Sequence, residues 1–142
     1  MKLIIYTLLL IPNFALLSQS NPIIGDYNRT LGKEGIHLIE YKLTLNQDGT
    51  FIFHSYSNNK QGILPEVNKY GKGKWIVEGK VISFFTNKKK DFDEKYTLDF
   101  NNSKARFVTK HPRDKTDRII KIRLQFFESE IFWMERIDIF KI

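Results

Sequence analysis

Leu43-Thr44-Leu45-Asn46-Gln47-Asp48-Gly49-Thr50-Phe51-Ile52-Phe53 reads as two strands of alternating apolar and polar residues joined by a turn that fixes their pairing. Asn46 to Thr50 suits a type I turn closed by a glycine in the left-handed region, the three-residue hairpin loop with a bulge. In that geometry Asn46 faces Thr50, Leu45 faces Phe51, Leu43 faces Phe53 and Tyr41 faces Ser55, so the apolar partners meet on one face. A shift of one residue would set Leu43 against Ile52 and carry both phenylalanines to the other side. Turn chemistry and side-chain pattern therefore select the same register.

The same grammar runs through most of the chain. No long stretch repeats with the helical period, and phenylalanine, isoleucine, tyrosine and threonine are enriched as strands prefer. Strands are expected at Ile23 to Asn28, His37 to Leu45, Thr50 to Ser57, Gly71 to Glu78, Lys80 to Thr86, Lys95 to Phe100, Ala105 to Lys110, Ile119 to Phe127 and Ile131 to Phe140. Short turn signals at Glu78-Gly79, Asn101-Asn102 and Glu128-Ser129 make sequence neighbours pair in space. The expected fold class is all-β: an antiparallel up-and-down meander of about eight to nine strands whose edges close on one another. Three longer connections, over residues 58–70, 87–94 and 111–118, are the positions where a β-scaffold carries binding groups.

Length bounds the organisation to one domain. Met1-Lys2 followed by the apolar run Leu3 to Ile11, then Ser18-Gln19-Ser20, has the layout of a signal peptide over residues 1–20, with a barrel domain over 21–142. Pro12-Asn13 interrupts the apolar run where a structural element would continue, and the run is too short to span a bilayer comfortably. The expected location is therefore periplasmic or secreted, with no transmembrane span once the signal is removed. Cysteine is absent, so neither a disulfide nor a lipid-modified cysteine is available. The formal charge of +7, or +6 without Lys2, favours acidic partners, an acidic protein or an envelope surface. Nucleic acid is not expected, because the basic residues are spread among strands rather than gathered on one helix.

Gly25-Asp26-Tyr27 near the start, the Leu43 to Phe53 hairpin, Gly71-Lys72-Gly73-Lys74-Trp75, and Val77-Glu78-Gly79 leading to Ile82-Ser83-Phe84 form an ordered set. Together they resemble the small exported lipocalin-like proteins of Bacteroidota, over roughly Gly25 to Thr86. The resemblance implies a calycin-type barrel around a central cavity or core. The chain departs from true lipocalins in carrying tyrosine where Gly-x-Trp is usual and in lacking a disulfide.

Catalytic chemistry finds little footing. His37 shares the odd-numbered face with Ile39 and Tyr41, His54 lies opposite Lys42 on the even face, and His111 falls in a distant connection, so no metal set converges and no cofactor is expected. Ser55 and His54 point to opposite sides of a strand, and no Gly-x-Ser-x-Gly elbow exists. The pair Asp91 and Asp93 beside Lys88-Lys89-Lys90 reads as a charge-balanced connection. Gly71-x-Gly73-Lys74 lacks phosphate-loop spacing, and the glycines read instead as relief of crowding beside Trp75. No enzymatic activity is expected.

Aromatic residues carry the remaining signal. Tyr41, Phe53, Trp75, Phe84, Phe107 and Trp133 are candidate lining for a small hydrophobic or anionic lipid-like ligand, with Arg113 and Lys115 as candidate contacts for its head group. The alternative is that the rings fill the barrel, leaving an interaction module that works through its loops and net positive charge.

Overall fold

A computed structural model describes residues 21–142; the expected signal peptide lies outside the described residues. Eight antiparallel strands form a closed up-and-down barrel in sequential order: β1 (Gly25–Lys33), β2 (His37–Leu45), β3 (Thr50–Asn59), β4 (Glu66–Glu78), β5 (Val81–Phe85), β6 (Ser103–Val108), β7 (Arg123–Glu128) and β8 (Asp138–Lys141). Among the described residues the one helical turn, α1 (Lys88–Asp91), lies between β5 and β6, and the Asn87 side chain caps it by accepting from the Lys89 N–H at 3.1 Å.

The β2–β3 hairpin has the register expected from its turn: Leu45 pairs with Phe51, Leu43 with Phe53 and Tyr41 with Ser55. Asn46 N–H donates to Thr50 O at 2.9 Å, Gly49 N–H donates to Asn46 O at 3.1 Å, and Gly49 takes φ +84°. The carboxylate of Asp48 accepts from both the N–H (3.0 Å) and the hydroxyl (2.6 Å) of Thr50, and these bonds hold its pKa below the ordinary value. Tyr41, Leu43, Leu45, Phe51 and Phe53 are all buried on the inner side, as one-sided alternation requires.

The β4–β5 turn resolves to two residues. Glu78 pairs with Val81 across Gly79 and Lys80, which sets Trp75 against Phe84 on the inner face. Gly71 and Gly73 are close-approach positions: a Cβ at Gly71 would stand 2.6 Å from the Phe100 ring, and one at Gly73 would stand 2.0 Å from the Phe85 carbonyl oxygen. The expectation of crowding relief beside Trp75 holds, with a ring and a neighbouring backbone as the two crowding groups.

One expected strand does not form and another is cut short. Lys95 to Phe100 makes only an isolated parallel bridge, Tyr70 with Tyr96. Its backbone donors are satisfied one at a time: Asp93 Oδ1 accepts from Lys95 and Tyr96, Tyr70 O accepts from Thr97 and Leu98, and Thr86 Oγ1 accepts from Phe100. The segment is thereby free to turn Phe100 into the barrel, where it is fully buried. Between Ile131 and Phe140 only the end is strand, because residues 131–136 form turns with Arg136 at φ +69°. Met134 and the adjacent half-buried Trp133 both pack against the core, which strict strand alternation would forbid. The strand expected from Ile119 begins instead at Arg123. Closure rests on a narrow seam, with Tyr27 paired to Lys141 and Asn28 to Phe140, extended by Ile142 N–H donating to Asp26 O at 2.9 Å.

Candidate functional site

The interior is built of rings. Phe51 meets Phe84 and Phe100 edge-on at 5.1 Å between centroids, and Phe53 meets Phe100 at the same distance. Phe84 stacks on Phe126 at 5.3 Å. These separations lie in the contact range for aromatic pairs, so these rings pack against one another. Phe51, Phe53, Phe100 and Phe126 have no measurable exposure. Burial pushes the phenol pKa values of Tyr27 and Tyr41 above the ordinary value, the sign of a poorly hydrated interior. Tyr27 keeps its hydroxyl satisfied by donating to Ile23 O at 2.5 Å.

Tyr41, Phe53 and Trp133 come together at the end of the barrel that holds the β1–β2 and β3–β4 turns. Trp133 lies flat on Tyr41, 5.4 Å apart and 9° from parallel, and 6.0 Å from Phe53. Phe84 joins this group through Phe100, and Trp75 is its cross-strand partner. The Trp75 indole N–H donates to Asn46 O at 3.1 Å, which ties that ring to the opposite end of the barrel. Phe107, buried against the same core, pairs across β6–β7 with Leu124. Arg113 and Lys115 are exposed in the connection from β6 to β7, which leaves the barrel at the end opposite Trp133, so these two are not brought to the Tyr41–Trp133 group. The two basic clusters, Lys88 to Lys90 and Arg113 to Arg118, lie at opposite ends of the barrel.

The histidines are separate. His37 Nε2 lies 3.2 Å from Ser57 Oγ at the exposed end of β2, His54 Nε2 lies 2.8 Å from Asn68 Oδ1 on the outer face, and His111 Nδ1 accepts from Arg113 N–H. Among the described residues no group of three or more His, Cys, Asp or Glu side chains could hold a metal ion, and no helix is long and apolar enough to cross a membrane.

The outer wall over β3, β4 and β5 carries a cluster of outward-facing, mostly half-buried aromatic and cationic groups. His54 stacks on Tyr70 at 4.4 Å, Tyr96 leans on Tyr70, and the ammonium groups of Lys72 and Lys95 stand over these rings at 4.4–4.5 Å. Beside this ladder is an open depression of about 730 Å³ between the wall and α1. Ile52, Lys72, Lys74 and Phe85 form the wall side, while Thr86, Asn87, Lys90, Asp91 and Asn101 come from the connection that carries α1. That connection is pinned: Thr86 N–H donates to Asn101 Oδ1 at 2.9 Å, Asn101 Nδ2 donates to Thr86 O at 2.8 Å, and Asn87 N–H donates to Asp91 Oδ2 at 2.7 Å. Among the described residues, Lys72, Lys74 and Lys90 have no carboxylate within ion-pair distance.

Part of this wall was available to sequence reasoning. Gly71, Gly73 and Trp75 face inward, which sends Lys72 and Lys74 outward by parity alone. Lys90 and Asn101 reach the same place only because the connection folds back on the barrel, and no local pattern encodes that. Comparison of the chain with protein-family models, curated proteins and solved structures gives no match.

Proposed function

We propose that the chain is an exported lipocalin-like barrel that works as an interaction module, binding an acidic partner protein through its outer wall. The observation that carries this reading is the contrast between inside and outside. Rings packed edge to face at 5.1 Å occupy the barrel interior, whereas Lys72 and Lys74 of β4 and Lys90 of α1 lack carboxylate partners among the described residues. Ligand sites are concave and at least partly preformed, and rings that already pack against one another have less surface left to offer an apolar ligand. Uncompensated surface charge, in turn, steers oppositely charged partners and raises their association rates. Export rests on the layout of residues 1–20.

Two measurements test the proposal together. Titration with a fluorescent poly-glutamate peptide is expected to show binding that weakens steeply as ionic strength rises, since exposed charges are screened beyond a Debye length of about 8 Å at physiological salt. Native mass spectrometry of the mildly extracted protein is expected to show the unliganded mass. A retained lipid together with no salt-sensitive peptide binding would overturn the reading in favour of a ligand held among Tyr41, Phe53 and Trp133.

A further inference from the structure

We infer that the depression between α1 and the outer wall is a binding site for a small organic acid, with a carboxylate or phosphate head on a flat apolar body. The inference rests on the outer wall being the binding face, and adds to it a defined site and ligand class. The volume of about 730 Å³ falls within the range of roughly 300–1,000 Å³ typical of small-molecule sites.

The lining divides into two chemistries. Phe85 is 47% exposed and Ile52 is 46% exposed, large side chains of β5 and β3, on either side of β4, that present apolar surface to the depression. An isolated surface phenylalanine needs no explanation, but one that lines a concavity with a second large apolar residue offers a flat body somewhere to lie. Around this floor stand Lys72, Lys74 and Lys90. The Lys72 ammonium leans over the Tyr96 ring, leaving Lys74 and Lys90 as the cations with no charged or aromatic partner among the described residues. Asp91 is the one carboxylate in the lining, and one of its oxygens already accepts the Asn87 N–H. Three ammonium groups against one carboxylate leave a positive balance where an anionic head would sit, and lysines take carboxylate or phosphate as point charges without demanding a planar fork.

The site is rigid on both sides. Gly73 forms part of its lining where β4 approaches the Phe85 carbonyl so closely that no Cβ fits. The far side is fixed by the reciprocal Thr86–Asn101 hydrogen bonds and by the one-turn α1. A preformed concavity of this kind spends little conformational entropy on binding.

The probes are 2-naphthoate and 2-naphthyl phosphate, with neutral 2-naphthamide for comparison, titrated into the ¹⁵N-labelled full barrel and followed by amide chemical shifts. Saturable shifts are expected at Gly73, Thr86, Asn87 and Asn101 for both anions, with the amide binding about tenfold or more weakly. The double variant Lys74→Ala/Lys90→Ala is expected to weaken both anions by about tenfold or more. Lys115→Ala, which changes net charge at the opposite end of the barrel, is expected to alter affinity by less than about twofold. Both sets lie on exposed side chains, so retained amide dispersion verifies folding. Shifts that never saturate, or equal weakening by the wall and Lys115 variants, would overturn the inference. If poly-glutamate still binds while the naphthyl anions do not, the site fails and the interaction reading stands; if neither binds, both fail.

Discussion

Replacing Phe100 by alanine should open the barrel, and replacing Gly71 by alanine should partly close it again. Phe100 is fully buried, touches Phe51 and Phe53 at 5.1 Å, and enters the core from a segment that is not itself a strand. Truncating a buried phenylalanine removes transfer free energy and leaves a cavity, a loss of about 3–5 kcal/mol. For a domain of this size that corresponds to a fall in melting temperature of about 10–20 °C. Gly71→Ala alone also destabilises, because its Cβ would stand 2.6 Å from the Phe100 ring and 3.2 Å from Leu98 Cβ, and overpacking of this kind costs about 1–3 kcal/mol. In the Phe100→Ala background the ring that blocks the new methyl is gone, so Gly71→Ala should become nearly neutral. The expected double-mutant coupling is therefore about 1–3 kcal/mol, measured by urea titration of the four proteins with a common m-value. Additive losses would refute the assignment of Gly71 as the space that admits Phe100.

Alkaline pH should destabilise the barrel through its buried phenols. Tyr27 and Tyr41 have pKa values raised by burial above the ordinary 10.0, so their stabilising contribution is complete below pH 10 and is lost as pH rises from there through the folded-state values. Thermal melts should fall in this window, and Tyr27→Phe should flatten the fall while costing about 1 kcal/mol at neutral pH for the lost bond to Ile23 O. Gly73→Ala should be far more damaging than Gly71→Ala, since its Cβ would lie 2.0 Å from a backbone oxygen that cannot rotate away; loss of soluble folded protein, or a melting temperature lower than that of Gly71→Ala, is the expected result. Amide exchange should be fastest, among barrel strands, at the β1–β8 seam, where two residue pairs carry the closure against nine in β2–β3. Protection there equal to that of Leu43 and Phe53 would show that the seam does not open locally.

The legible part of this fold is the part in which neighbours along the chain are neighbours in space. Between Tyr41 and Ser55, parity and a three-residue loop settle the register, because a slip of one residue would put Leu43 and Phe53 on opposite faces. The β4–β5 register is set by a two-residue loop in which Gly79 takes φ +62°. Periodicity misleads where a segment closes the barrel instead of walling it. Lys95 to Phe100 has strand-like composition, yet one side chain, Phe100, is needed inside. Residues 131–136 look like a rich final strand, yet the barrel end requires Trp133 and Met134 on the same side. Both departures arise from tertiary burial overriding local propensity.

The same distinction explains why the outer depression was less visible than the aromatic interior. Inward-facing rings announce themselves through alternation, since each is flanked by polar residues on its own strand. The depression draws Lys72 and Lys74 from β4, Phe85 from β5, and Lys90 and Asn101 from the connection that follows, a set assembled only after the connection bends back and Thr86 locks to Asn101. Its cations would read, along the chain, as dispersed solubilising charge. What converts them into a candidate site is that the chain's glycine-relieved strand and its pinned connection hold them around exposed Phe85 and Ile52, so that charge and apolar surface converge where neither had a partner in the sequence.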